Sequence, residues 1–135
     1  MASINDVCKE IVGLVDGALG CGVIDLGSGL LLGVAHNVPY FTQSYLDAVA
    51  AASVDMLRGR TVKGVESLLS NTRGKKVENS IKEIQMTTES TYHFIATVPE
   101  KPNAAVVLIT SKKTNLGMGW AGVKSNLPKL APLCP

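Results

Sequence analysis

The run Ala104-Ala-Val-Val-Leu-Ile-Thr110 constrains the fold more than any other stretch, because it is apolar on both of its alternating sets of positions. Successive side chains of a strand point to opposite faces, so such a run must be covered on both sides and belongs at the centre of a sheet with a layer above and a layer below. The remaining periodicities supply those layers. Ser3-Ile-Asn-Asp6 has the S-x-x-D form of a helix start, and Ile4, Cys8, Ile11 and Val15 recur at helical spacing until Gly17 and Gly20 end the element.

Gly17 to His36 reads as a β-hairpin, two apolar runs of strand length split by Gly27, Ser28 and Gly29, with β-branched Val23 and Ile24 in the first run. A three-residue loop there would need positive φ values, which glycine reaches cheaply. The same glycines do not form a phosphate-binding G-x-G-x-x-G, since Asp25 follows Gly20 and Gly22, and Leu32 follows Gly27 and Gly29, where a third glycine is required. The next element is a strand, which offers no helix N-terminus to an anion.

Asn37 to Thr42 breaks the strand pattern, and Thr42 can cap a second helix whose core arc is Leu46, Val49, Ala50, Ser53, Met56 and Leu57, with Asp47, Ala51, Asp55 and Arg58 opposite. Tyr45, Ala48 and Ala52 lie beside that arc as surplus apolar and mostly small surface, suited to close approach by another helix. Gly59 weakens the helix, after which Val62, Val65 and Leu69 predict a short helix or bent continuation over Thr61 to Asn71, followed by a loop over 71–76. Val77 to Thr88 reads as a charged edge strand, with Val77 and Ile81 on one parity, Ile84 and Met86 on the other, and a bulge near Lys82. Tyr92, Phe94, Ala96 and Val98 alternate as a further strand, Pro99 to Asn103 turns the chain, and Asn115 caps a last helix with Leu116, Trp120, Val123 and Leu127 on one side until Pro128 ends or kinks it. The expected fold is α+β, a five-stranded antiparallel sheet within one domain spanning 1–135.

A chain of 135 residues can bury enough apolar surface to need no metal or disulfide staple. Cys8, Cys21 and Cys134 have no metal-ligand spacing and an odd count, which predicts free thiols, with Cys8 and Cys21 buried and Cys134 exposed in the tail. Reduced thiols, the lack of a secretory signal and the lack of a bilayer-spanning run make the expected location cytoplasmic. His36 and His93 have no partner at ligand spacing, and Asp25 reads as a carboxylate bonding its own turn. Ser28 lacks the nucleophile elbow, and Gly74-Lys75-Lys76 lacks the rest of a P-loop, so no catalytic residue, cofactor or metal is expected. Net charge is +2, yet Arg58, Arg60, Lys63, Arg73, Lys75 and Lys76 stand against the single acid Glu66 over 58–76. That basic segment is a solvated face or an electrostatic contact surface; it contains no aromatic residue, so base stacking and specific nucleic-acid binding are not expected.

The element order, the hairpin over Val23 to Gly29 and the entry Thr114-Asn-Leu-Gly-Met-Gly-Trp120 into the last helix resemble the roadblock family of dynein light-chain-like proteins. The resemblance implies a profilin-like sheet ordered 2-1-5-4-3, with the second helix on one face and the first and last on the other. It further implies a non-catalytic homodimeric regulator or scaffold that binds a small Ras-like GTPase or a larger assembly, with Tyr45, Ala48, Ala52, Met56, Ile81 and Ile84 at the dimer or partner interface. The alternative is a profilin-like module that senses a small molecule held between sheet and helices. The basic helical and loop insertion at 58–76 departs from the family pattern.

Overall fold

The structure is a computed structural model and describes residues 2–135. In chain order the elements are α1 (Ile4–Leu14), β1 (Ala18–Asp25), β2 (Leu31–His36), α2 (Gln43–Arg58), α3 (Arg60–Arg73), β3 (Glu83–Thr87), β4 (Thr91–Val98), β5 (Lys101–Ser111) and α4 (Leu116–Leu130), followed by a 3-10 turn (Ala131–Leu133). The strands form one antiparallel sheet in the order β2-β1-β5-β4-β3. β5 is central, as its double-sided apolarity requires. Its side chains divide by parity: Ala104, Val106 and Leu108 pack with Val7, Cys8, Ile11, Val123, Leu127 and Leu130 of α1 and α4, while Ala105, Val107 and Ile109 pack with Ala50 and Leu57 of α2. The sheet is thus sandwiched, and α1, α2 and the body of α4 bury the apolar stripes that their periodicity marks, whereas Leu116 at the start of α4 and the Val65 and Leu69 positions of α3 stay exposed.

The helix starts follow their capping chemistry. Ser3 and Asp6 form a reciprocal capping box, the Thr42 hydroxyl accepts the Tyr45 N–H at 3.2 Å, and Asn115 Oδ1 accepts the Met118 N–H at 3.1 Å. Two glycines let helices approach the sheet closely. A Cβ on Gly119 would lie 2.4 Å from the Phe94 ring, and one on Gly33 would lie 2.4 Å from the Ile4 side chain.

Several sequence expectations are corrected. The hairpin loop runs from Leu26 to Leu30 rather than over three residues, and of Gly27, Ser28 and Gly29 only Gly29 has positive φ, at 78°. The Asp25 carboxylate closes the loop instead, accepting the Gly27 N–H at 3.3 Å and the Ser28 hydroxyl at 2.6 Å. Gly20 lies within β1, so α1 ends without it. α3 extends to Arg73 because the left-handed conformation that stops it falls at Gly74, φ 68°. The expected strand over 77–88 shrinks to Glu83–Thr87, and no bulge forms at Lys82. Its first half is engaged by α3: the Val77 N–H donates to Ser70 Oγ at 2.7 Å, and Ser80 donates from both N and Oγ to Glu66 Oε2 at 2.6 and 2.5 Å. The β4–β5 connection is a tight turn at Pro99 and Glu100, since β5 already begins at Lys101. α4 continues through Pro128 to Leu130, and Cys134 is buried rather than exposed, because Leu130 and Cys134 fill the end of the core beneath α1 while Lys101 Nζ holds the Cys134 carbonyl at 2.9 Å.

Candidate interaction surface

The residues that could carry chemistry are occupied with structure. Two hydrogen bonds within its own turn hold the Asp25 carboxyl below the usual carboxylate range. His93 is buried, which lowers its pKa, and its Nε2 lies 3.1 Å from Thr91 Oγ1; His36 Nδ1 accepts the Val38 N–H at 3.3 Å. The Cys21 thiol is pushed up by its hydrogen bond with Cys8 and by burial, and burial likewise raises Cys134, so these thiols are poor nucleophiles. Among the described residues, no three His, Cys, Asp or Glu side chains are placed to hold a metal. Between α2 and the sheet lies an apolar cavity of about 20 Å³, lined by residues including Gly20, Gly22, Phe41 and Val49. It exists because glycines face α2 there, and it has room for about one water molecule, far below the several hundred Å³ of a ligand pocket.

Outside the core, α2 keeps a bare flank. Tyr45, Ala48 and Ala52 are exposed, and the Tyr45 ring stacks on buried Phe41 with centroids 4.8 Å apart, which fixes it against the helix base. Partial burial raises the Tyr45 phenol pKa. Met56, Ile81 and Ile84 are half-buried and pack against the α2-side core, so all six expected interface residues lie on the α2 face of the sheet.

The two sheet edges differ. β2 is shielded by α1, where Asn5 Oδ1 accepts the outward N–H of Val34 at 2.8 Å and Gly33 admits Ile4 against the strand. Among the described residues β3 is paired only with β4, and its other side is open. An open edge is a template for another strand.

The basic segment is divided in the structure. Arg58 is a structural clamp: its guanidinium donates to the Pro102 carbonyl and lies 3.5 Å from Asn103 Oδ1, tying the end of α2 to the start of β5. Lys76 is exposed and pairs with Glu78 at 3.1 Å, whereas Arg60, Lys63, Arg73 and Lys75 are exposed and make no ion pair among the described residues. Sequence reasoning missed the exposed apolar side of α3, where Val65, Leu68 and Leu69 are 53%, 68% and 37% exposed. The adjacent pair Leu68-Leu69 was the available signal, since neighbours on a helix lie about 100° apart and cannot both enter a narrow core stripe.

No protein-family model matches the sequence, and no curated protein matches it. Solved structures do. MglB in a tetrameric arrangement is 19% identical, with a TM-score of 0.72 over 96% of this chain and 85% of that one. The gliding protein MglB of Thermus thermophilus is 19% identical, with a TM-score of 0.71 over 96% of this chain and 86% of that one. A Roadblock/LC7 domain from Streptomyces avermitilis is 14% identical, with a TM-score of 0.65 over 97% of each chain. With the sheet order β2-β1-β5-β4-β3 and helices on both faces, the chain has the roadblock/LC7 fold.

Proposed function

We propose that the chain is a non-catalytic roadblock-type regulator or scaffold, cytoplasmic, that acts as a homodimer and engages a small Ras-like GTPase or a larger assembly. One observation carries this reading: the open edge of β3 and the bare flank of α2 occur on the same molecule whose opposite edge, β2, is covered. A two-fold axis would lay α2 along its copy at Ala48 and Ala52, whose small side chains permit close backbone approach, and would bring β3 to β3 so that the outward backbone groups find partners. Tyr45, Met56, Ile81 and Ile84 would border that seam. The tetrameric arrangement of MglB is an instance of self-association on this fold. The GTPase part rests on the roadblock resemblance, and the structural occupation of Asp25, His36, His93 and the cysteines supports a role in holding a partner rather than transforming it.

Ala48→Glu tests the reading by placing a charge in the seam, which should weaken association by a few kcal/mol, on the order of a buried unpaired charge at an interface. In sedimentation at micromolar concentration, the native chain should run as a dimer and the variant as a monomer. A monomeric native chain would overturn the homodimer. Capture of partners from the native cell, repeated with each guanine nucleotide, tests the GTPase part; enrichment of no nucleotide-binding protein under either condition would remove it.

A further inference from the structure

α3 is held on one side and bare on another. Glu66, its buried residue, and Ser70 bind the 77–80 segment, and this fixes the helix to the body of the protein. At 100° per residue, Val62, Val65, Leu68 and Leu69 fall within an arc of about 120° that begins at half-buried Val62 beside Glu66 and runs away from Glu66 to Leu68. No described residue covers the outer part of that arc, where Leu68 is 68% and Val65 53% exposed. Arg60 and Arg73 border the arc on its two sides, and Lys75 and Lys76 follow immediately after Gly74. Glu66 is the one acid between Arg58 and Lys76, and its carboxylate is committed to Ser80.

The occupant of this face has to accept aliphatic side chains and several unneutralised cations together. We propose that α3 docks the protein on an anionic lipid surface, with Val65, Leu68 and Leu69 entering the boundary between headgroups and acyl chains and Arg60, Arg73 and Lys75 meeting lipid phosphates. Charge complementarity carries the choice: the segment is net +5, and with Arg58 clamped on the Pro102 carbonyl and Lys76 paired with Glu78, Arg60, Arg73 and Lys75 remain exposed with no ion pair among the described residues, on a chain whose remainder is net negative. The apolar residues are a row of short aliphatics standing on a convex helix, with no aromatic residue between 58 and 76. That composition suits a fluid interface, whereas protein hot spots are built on aromatic anchors seated in pockets. Lys63 and Lys76 sit on the other flank of α3, in the polar cleft with Glu66 and Ser67, where Lys76 pairs with Glu78, and they add to the field without touching the surface. This inference stands apart from the homodimer and GTPase reading, since it uses no residue of the α2 seam.

The test is co-sedimentation of the whole 135-residue chain with vesicles of phosphatidylcholine alone and of equal parts phosphatidylcholine and phosphatidylglycerol. Binding should appear with the anionic vesicles, and it should fall by about tenfold or more between low and physiological salt, as expected for several basic side chains near a charged surface. Replacing Arg60, Arg73 and Lys75 with glutamine should abolish it. Val65→Ser combined with Leu68→Ser keeps the charge and should weaken binding severalfold, with thermal melting confirming that the variant is folded. Equal binding to both vesicle types, or none to either, overturns the proposal. Undiminished binding of the serine variant also overturns it, because it would reduce the effect to nonspecific charge adsorption. Salt-sensitive binding to polyglutamate without binding to the anionic vesicles would reassign the face to an acidic protein.

Discussion

Gly119 and Gly64 are both helical glycines, and the structure assigns opposite signs to the same substitution at the two sites. An alanine in a helix interior is favoured over glycine by about 1 kcal/mol, chiefly through backbone entropy. At Gly64 a Cβ meets nothing within 4 Å, so Gly64→Ala should stabilise the protein by roughly that amount or somewhat less. At Gly119 the new Cβ would lie 2.4 Å from Cζ and 2.8 Å from each Cε of Phe94. Those are three atoms of one rigid ring, which is fully buried and packed edge-on against Trp120 with centroids 5.3 Å apart, so it has nowhere to swing. Overpacking typically costs about 1–3 kcal/mol, and a clash with three atoms of a ring that cannot move belongs in the upper part of that range, about 2–3 kcal/mol, so after the propensity gain Gly119→Ala should destabilise by about 1–2 kcal/mol net. For a domain of this size the corresponding drop in Tm is roughly 3–6 °C, against a rise of a few degrees for Gly64→Ala. Urea melts of both variants, with unchanged m-values, are the decisive measurement. If Gly119→Ala proved as stable as the native chain, α4 would not lie against Phe94 as described, and the packing of the α1 and α4 layer would have to be redrawn.

Acid should release the segment over 77–80 from α3. The Ser80 hydroxyl and N–H hold the Glu66 carboxyl below its ordinary value near 4.5, so this contact contributes stability above that value and loses it as pH falls through the lower folded value; proteolytic cutting or amide exchange over 77–82 should rise as the pH falls below 4.5, and Glu66→Gln should remove the transition. Cys8, Cys21 and Cys134 are all buried, so a thiol reagent should react with none of them in the native protein and with all three in denaturant; prompt native reaction at Cys134 would place the tail outside the core.

Much of the architecture followed from the sequence because it is local or strictly periodic. The double-sided run at Ala104 to Thr110 required a central strand, and the caps Ser3, Thr42 and Asn115 set three helix starts through hydrogen bonds that span only three residues. The surplus flank at Tyr45, Ala48 and Ala52 was visible as apolar positions beyond the arc one sheet can cover. What local pattern could not decide was where side chains far apart in sequence compete for the same backbone. Val77 to Ile81 alternates well enough for a strand, but Glu66 and Ser70 reach across from α3 and take its N–H groups, so the sheet edge begins only at Glu83. Pro128 should break a helix, yet the burial of Leu127, Leu130 and Cys134 beneath α1 keeps α4 intact through it and draws the tail inward. Arg58 belongs by periodicity to the solvent face of α2, but the Pro102 carbonyl, 44 residues on, captures its guanidinium. The bare side of α3 was decided in the same way: its periodicity gives an apolar arc, and only the positions of the sheet and of the 77–80 segment determine which part of that arc finds cover and which is left to water.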